Sequence, residues 1–214
     1  MLKRIKTAFT KNYKWIICFI CLILFLFITE EVYNKEIMNW DIVGYKFIYK
    51  YLMCDLLTYM FKIITWFGGA TCIILLTFIL TFIIKNKKIC LLVGVNLVVI
   101  TILNQILKAI VQRPRPSEYR IINESGYSFP SGHSMISMAF YGFFIYLIYK
   151  NIKNNYVKIS LIIILTLLII MIGISRVYLG VHYISDVCAG FLVSLSFLII
   201  YINFVDKFLL SKEK

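Results

Sequence analysis

Histidine and proline are rare in this chain, which has two histidines and three prolines among 214 positions. All five lie in three short blocks, at residues 108–116, 130–133 and 175–186. Residues this scarce would not coincide by chance, so these blocks are where a functional site is expected.

Other missing features exclude whole classes of protein. The six cysteines, at positions 18, 21, 54, 72, 90 and 188, lack the spacing of a metal site or a disulfide framework. No proline-, glycine- or serine-rich linker and no repeat divides the chain. This predicts a single domain over residues 1–214, with the functional blocks within 108–186. The blocks contain no carboxylate cluster, so we expect neither a magnesium site nor a two-metal site.

Acidic residues are also few: 10 Asp and Glu stand against 23 Lys and Arg, which gives a formal net charge of +13. We expect no nucleic-acid partner, because the cations are spread along the chain and form no dense patch. Anionic lipid headgroups at a membrane surface suit such a distribution better.

Apolar residues are abundant, at 61% of the chain with a mean hydropathy of +0.87. Runs without Asp, Glu, Lys or Arg recur at residues 15–29, 63–84, 89–107, 131–149, 159–175 and 187–205. A helix needs about 20 apolar residues to cross roughly 30 Å of hydrocarbon, whereas soluble strands usually stop at about 4–8 residues. The sequence therefore predicts an all-α fold, a polytopic membrane bundle of six transmembrane helices. The first run lacks a small-residue cleavage pattern, so we expect it to be retained.

Lysine and arginine placement predicts the orientation, because cytoplasmic loops carry an excess of both. With six spans, one side holds Lys3, Arg4, Lys6, Lys11 and Lys14, then Lys85, Lys87 and Lys88, then Lys150, Lys153 and Lys158, and finally Lys207, Lys212 and Lys214. Both termini of this cell-membrane protein are then cytoplasmic, and the three blocks lie at the outer ends of the helices. Basic residues on that disfavoured outer side require a reason other than topology.

The longest connection covers residues 30–62. Lys46 and Lys50 are four residues apart and would share a helix face. An amphipathic helix in the outer interface and an extension of the second span both remain open.

Chain breaks are expected between the later spans. Pro114 and Pro116 should stop the third span, because proline lacks an N–H donor, and Pro130 suits the first turn of the fourth. The polar segment 117–129 is expected to form an outer loop, and Gly180 to mark the bend between the fifth and sixth spans.

The block at residues 130–133 contains Pro-Ser-Gly-His before an apolar run. A helix N-terminus there would present unpaired N–H groups that bind anions. Gly132 would allow close approach, Ser131 would add a hydroxyl, and His133 would be placed to pass a proton. The alternative is that Ser128 or Ser131 only caps the helix.

Cations dominate the block at residues 108–116. Arginine offers a planar fork of donors that suits phosphate oxygens, and lysine supplies a point charge. In the alternative interpretation, Lys108 only reaches for the membrane surface, and Arg113 and Arg115 are solvated loop residues.

The third block contains His182 and Asp186, which are four residues apart and are expected to share a helix face at the start of the last span. A carboxylate bonded to one imidazole nitrogen fixes the tautomer and leaves the other nitrogen free to attack. A purely structural His–Asp pair is the alternative.

Together the blocks resemble the signature of the phosphatidic-acid phosphatase type 2 superfamily, the lipid phosphate phosphatases. Lys-x6-Arg-Pro, Pro-Ser-Gly-His and Ser-Arg-x5-His-x3-Asp occur in the family's order without a departure. The resemblance implies that His182 is the nucleophile of a phosphohistidine mechanism, that Asp186 orients it, and that His133 protonates the leaving oxygen. It implies no metal and no cofactor. It also implies that the phosphoryl group is held by Lys108, Arg115, Ser131, Gly132 and Arg176.

The implied activity is removal of the terminal phosphate from a membrane lipid. Undecaprenyl diphosphate, phosphatidylglycerol phosphate and phosphatidic acid are all candidates, and neither the substrate nor the oligomeric state can be read from the sequence. A vanadium haloperoxidase would share the anion pocket, but its known members are mostly soluble. A non-enzymatic lipid or anion transporter is a further alternative, although transporters bind near mid-membrane between broken helices.

Overall fold

The computed structural model describes residues 2–34, 38–84 and 86–207, with side chains described from residue 12 onward. Of the basic residues that predict the orientation, Lys85, Lys212 and Lys214 lie outside this part. The described ranges contain helices and no strand, which confirms the all-α prediction. The eight helices are α1 (Leu2–Tyr33), α2 (Asn39–Tyr51), α3 (Asp55–Trp66), α4 (Ala70–Ile83), α5 (Lys87–Val111), α6 (Gly132–Asn151), α7 (Asn155–Tyr178) and α8 (Ile184–Val205).

Five helices are long and apolar enough to cross a membrane, namely Asn12–Tyr33 of α1 together with α5, α6, α7 and α8. A sixth crossing exists if α3 and α4, which meet at a bend of 49°, form one broken span. Large apolar side chains face outward along the bundle: Phe19 is 65% exposed and Phe82 is 75% exposed. Such contiguous apolar surface is typical of a membrane-facing protein. The chain is therefore a multi-pass membrane protein with five or six spans.

The sequence predicted one continuous helix over the apolar run 63–84. The structure instead has a break in this run, between α3 and α4. Gly68 lies in the break, where a Cβ atom would be 2.5 Å from Ile172 Cγ2 and 3.3 Å from His133 Cδ2. The hydroxyl of Tyr141 donates to the Phe67 carbonyl at 2.8 Å, which satisfies one backbone group that the break frees. The break thus lies directly beside one of the predicted functional histidines.

The connection at residues 30–62 contains a separate helix and the first part of the next one, and the location of the separate helix in the outer interface stays a prediction. Lys46 and Lys50 lie on α2, a separate helix, and α3 extends the broken span back to Asp55. The side chain of Asp41, in the first turn of α2, is completely buried and accepts the Ser185 N–H at 2.8 Å. Helix α2 is therefore attached to the start of α8.

Helices α6 and α8 form the centre of the bundle. They pack against each other, with α1 and α5 against α8 and with α5 and α7 against α6. Ile100, Met135, Ala139 and Ala189 are buried where α5, α6 and α8 meet. The two central helices begin side by side, since the Ser131 N–H donates to the Asp186 carbonyl at 3.0 Å. The second and third blocks are thereby brought together.

Helix ends follow the predicted breaks with one correction. Helix α5 ends at Val111, before Pro114, and residues 112–131 contain no helix. Pro130 is not in the first turn of α6, as predicted, because the helix begins at Gly132 with Ser131 as its N-cap. A serine side chain at the N-cap can accept a hydrogen bond from a backbone N–H of the first turn, whereas a proline side chain cannot.

Gly180 forms the predicted bend between α7 and α8, with a positive φ of 74°. A Cβ atom there would lie 2.6 Å from the Tyr119 carbonyl oxygen, so the loop packs directly on the bend. The Ile121 N–H also donates to the Leu179 carbonyl at 3.1 Å. These contacts hold the loop 117–129 over the ends of α7 and α8.

Candidate active site

The three blocks converge on one cavity of about 470 Å³. It lies among the last turns of α5 and α7, the first turn of α6 and the residues just before α8. Six of the eight predicted site residues line the cavity: Lys108, Arg115, Gly132, His133, Arg176 and His182. The other two, Ser131 and Asp186, are completely buried behind it.

His182 and Asp186 are in contact, although not in the predicted way. Helix α8 begins at Ile184, so His182 precedes the helix and does not share a helix face with Asp186. The carboxylate instead bends back over the helix N-terminus, where its Oδ2 lies 3.3 Å from His182 Nδ1 and accepts the Tyr183 N–H at 2.9 Å. Asp186 is the N3 residue of α8, and its bond to the backbone of the N-cap residue Tyr183 fixes it against the imidazole.

The hydrogen-bond partners of His182 determine its tautomer. A carboxylate only accepts, so Nδ1 carries the proton toward Asp186; a guanidinium only donates, so Nε2 is the acceptor for Arg115 Nη1 at 3.0 Å. Burial is the main influence on this side chain and lowers the pKa of His182 to about 4, even though Asp186 favours the charged form. The imidazole is therefore neutral at pH 7, with the Nε2 lone pair directed toward Arg115.

His133 occupies the first turn of α6 and packs against the α3–α4 break, where a Cβ atom at Gly69 would be 3.8 Å from its Nε2. Within the described part of the chain, no hydrogen bond engages its imidazole. Both ring nitrogens are therefore free to bond with a group in the cavity.

Hydrogen bonds of Ser131 and Asn104 hold the start of α6 in place. Ser131 is the N-cap, and its hydroxyl oxygen accepts from the Ser134 N–H and Oγ at 3.4 and 3.0 Å. Asn104, which the sequence analysis did not identify, lines the cavity and donates to the Pro130 carbonyl at 3.2 Å. The capping alternative thus describes what Ser131 does in the structure, and its direct contact with phosphate stays a prediction.

The cations of the cavity contact four consecutive residues, 124–127, which we call the rim segment. Arg115 donates to the carbonyl oxygens of Ser125 and Gly126, each at 3.0 Å. Lys108 donates to the Tyr127 carbonyl. Because of these contacts Arg115 is not a solvated loop residue, and that alternative interpretation is wrong.

Arg176 bonds to the remaining member of the rim segment. Its Nη2 lies 2.6 Å from Glu124 Oε1, its Nη1 donates to Thr65 Oγ1 at 2.8 Å, and its buried Nε has no partner among the described residues. Burial alone would raise the pKa of Glu124, but the Arg176 hydrogen bond and the nearby Arg115 charge bring it below its usual range. Glu124 is therefore ionised, and the sequence analysis did not identify it.

A buried ion-pair network lies behind His182. Arg113 Nη1 is 2.6 Å from Asp186 Oδ1, and its Nη2 is 2.9 Å from Asp41 Oδ2. The Ser185 hydroxyl bonds to Asp41, and the Arg113 guanidinium lies 4.1 Å from the Tyr183 ring centroid. The solvated-loop alternative is therefore wrong for Arg113 as well.

The sequence contained only a partial signal for this network. Arg113 stands in the first block, two residues before the signature arginine, but nothing there showed which arginine faces the cavity. Asp41 is the sole carboxylate of α2, yet its burial depends on α2 packing on α8, which no local pattern specifies.

No three His, Cys, Asp or Glu side chains lie together as possible metal ligands in residues 2–34, 38–84 and 86–207. The cavity instead combines three cations with one carboxylate and two imidazoles. Such a donor set suits an anion, because guanidinium and ammonium groups donate to phosphoryl oxygens.

A family model for the PAP2 superfamily matches residues 70–209 of the chain. The chain belongs to the PAP2 superfamily. It is 36% identical to phosphatidylglycerophosphatase B of Bacillus subtilis (strain 168) over 114 residues, which cover 53% of this chain and 56% of that protein. It is also 36% identical to sphingosine-1-phosphate phosphatase 1 of Rattus norvegicus over 123 residues, covering 53% of this chain and 28% of that protein. The matches thus span about half or less of these relatives.

Two solved structures have a similar fold. A transmembrane PAP2 type phosphatidylglycerolphosphate phosphatase from Bacillus subtilis superposes with a TM-score of 0.78 at 27% identity, covering 89% of this chain and 96% of that chain. Aquifex aeolicus LpxE superposes with a TM-score of 0.62 at 24% identity, covering 76% and 94%. The second likeness concerns the fold alone.

Proposed function

We propose that the chain is a metal-independent membrane lipid phosphatase that removes the terminal phosphate of a phosphorylated lipid through a phosphohistidine intermediate. The whole chain would act as one membrane-embedded domain. The observation that carries the proposal is that His182, with Nε2 3.0 Å from Arg115 Nη1, lines the same cavity as three cations and a second histidine. The names of the relatives, which are phosphatases of phosphorylated lipids, support it.

The first half of the reaction forms a phosphorus–nitrogen bond. His182 Nε2 attacks the terminal phosphorus as Arg115 turns its N–H from that nitrogen to a phosphoryl oxygen. Phosphoryl transfer needs mainly positioning and charge neutralisation, which Arg115, Lys108 and Arg176 supply together with the N–H groups at the start of α6. Asp186 stabilises the imidazole proton on Nδ1. His133 must be protonated for this step, and it gives that proton to the oxygen of the breaking P–O bond.

The second half returns the enzyme to its starting state. His133, now neutral, removes a proton from a water molecule whose oxygen attacks phosphorus. The P–N bond to His182 breaks and inorganic phosphate leaves. The substrate class remains a phosphorylated membrane lipid, with phosphatidylglycerol phosphate, phosphatidic acid and undecaprenyl diphosphate as candidates and the bilayer as the second partner.

Purified protein in detergent should release phosphate from at least one of these lipids in excess EDTA, and vanadate should inhibit it. In this mechanism the three cations neutralise the charge of the phosphoryl group, so no metal ion is needed. Vanadate should inhibit because it can mimic the five-coordinate phosphoryl group. Phosphate release is the measurement, with the same protein plus magnesium as the control. Complete loss in EDTA that magnesium restores would refute metal independence.

His133→Ala should lose activity to an extent that depends on the leaving group. A lipid alkoxide needs the proton, and general acid catalysis is worth about 10²–10⁴-fold. An aryl phosphate leaves without it, so its loss should be smaller. Relative kcat/KM on the two substrates measures this, and equal losses in folded protein would show that another group is the acid.

We further propose that the cavity faces outward and that both termini are cytoplasmic. In a background without native cysteines, a membrane-impermeant thiol reagent added outside should label Ser117→Cys, in the loop near the cavity, and spare Asn86→Cys. Labelling of Asn86→Cys and not of Ser117→Cys would show that the opposite orientation is correct. The substrate would then have to reach the site from the inner leaflet.

A further inference from the structure

We propose that Glu124 is a specificity-determining residue that makes this cavity select phosphomonoesters over diphosphates. The inference rests on the proposed function, because it concerns the substrate class of the same site.

The cavity lining carries more positive than negative charge. Lys108, Arg115 and Arg176 line it as cations, and among the described residues Glu124 is the only carboxylate that does so. Asp186 lies behind His182, where it shares Arg113 with Asp41, and neither of these two carboxylates lines the cavity. The lining therefore offers a net charge of two cations, which matches one phosphomonoester group of about −1.5 to −2 at neutral pH.

Glu124 lies at the edge of the cavity beside Arg176. Its side chain is 31% exposed and lies 2.6 Å from Arg176 Nη2, so the carboxylate faces the cavity and is held by one of its three cations. A monoester has an uncharged lipid oxygen beyond its phosphorus. A diphosphate has a second charged phosphoryl group there, which must share about 470 Å³ with an ionised carboxylate.

Like charges in a half-buried site repel more strongly than in water. Specific sites commonly use such a repulsive element against the wrong ligand. Glu124 would act in this way on the diphosphate while leaving the phosphomonoester acceptable. The carboxylate itself takes part in no bond-making step.

The test compares farnesyl monophosphate with farnesyl diphosphate, which share one lipid tail. Glu124→Gln should raise the diphosphate-to-monophosphate ratio of kcat/KM by about tenfold. Glu124→Asp keeps the charge and should leave the ratio near the wild-type value even if both rates fall. Glu118→Gln is the matched control, because Glu118 is exposed on the same loop and does not line this cavity.

An unchanged ratio in an active Glu124→Gln variant would overturn the inference and leave Glu124 as a support for Arg176. If that variant has no turnover, calorimetric binding of inorganic phosphate and pyrophosphate decides, since affinity for pyrophosphate should rise relative to phosphate. The same binding comparison applies if wild-type protein hydrolyses neither lipid. In that case the binding comparison decides the selectivity, and hydrolysis of the candidate lipids named above tests the proposed function separately.

Discussion

Replacing His182 with alanine should abolish phosphate release, by on the order of 10⁴-fold or more, because the variant lacks the atom that attacks phosphorus. Radiolabelled substrate should give an acid-labile phosphoenzyme in wild-type protein and none in this variant. Tyr183→Phe is a suitable control, since it alters the adjacent residue and keeps the ring that contacts Arg113. A phosphoenzyme that persists in His182→Ala would place the nucleophile elsewhere and leave the cavity as a binding site only.

The same histidine predicts a pH dependence. With a pKa of about 4, His182 becomes protonated as the pH falls through that value, and kcat/KM should decline there because the imidazolium cannot attack. Stability should change in the same direction. The folded pKa lies below the ordinary value of 6.5, so the unfolded chain binds the proton first and stability falls between about pH 6.5 and pH 4.

The sequence was sufficient for most of the helices because each apolar run is long and ends in charge or proline. It was not sufficient for the α3–α4 break, where hydropathy is continuous from residue 63 to residue 84. That break depends on how closely Gly68 approaches Ile172 and His133, a contact between segments far apart in the chain.

The candidate site follows the same division. Lys108, Arg115 and Arg176 line one cavity, and their binding to phosphate stays a prediction. Glu124 could not be predicted, since a carboxylate in a polar loop is normally solvated and only the fold brings it to Arg176. The error in the predicted helix face at His182 arose because α8 starts two residues later than expected.

Asp41 shows why the supporting network is harder to predict than the residues that line the cavity. Its hydrogen-bond partners Arg113 and Ser185 are separated from it by 72 and 144 residues in sequence. A buried carboxylate is tolerated only with a compensating charge. The Arg113 guanidinium provides that charge to two carboxylates at once, one from α2 and one from α8.

Arg113→Met should therefore destabilise the protein strongly, by about 3–5 kcal/mol, because it leaves Asp41 and Asp186 buried without their cation. The midpoint of thermal unfolding in detergent, followed by tryptophan fluorescence, should fall by on the order of 10 °C. Adding Asp41→Asn should recover part of this loss, since it removes one of the two stranded charges. The exposed Arg120, which donates only to the Pro116 carbonyl among the described residues, provides the control Arg120→Met, with little expected change. Equal midpoints for the two methionine variants would mean that the ion pairs around Arg113 do not stabilise the fold, and that Asp186 is held mainly by the α8 N-terminus.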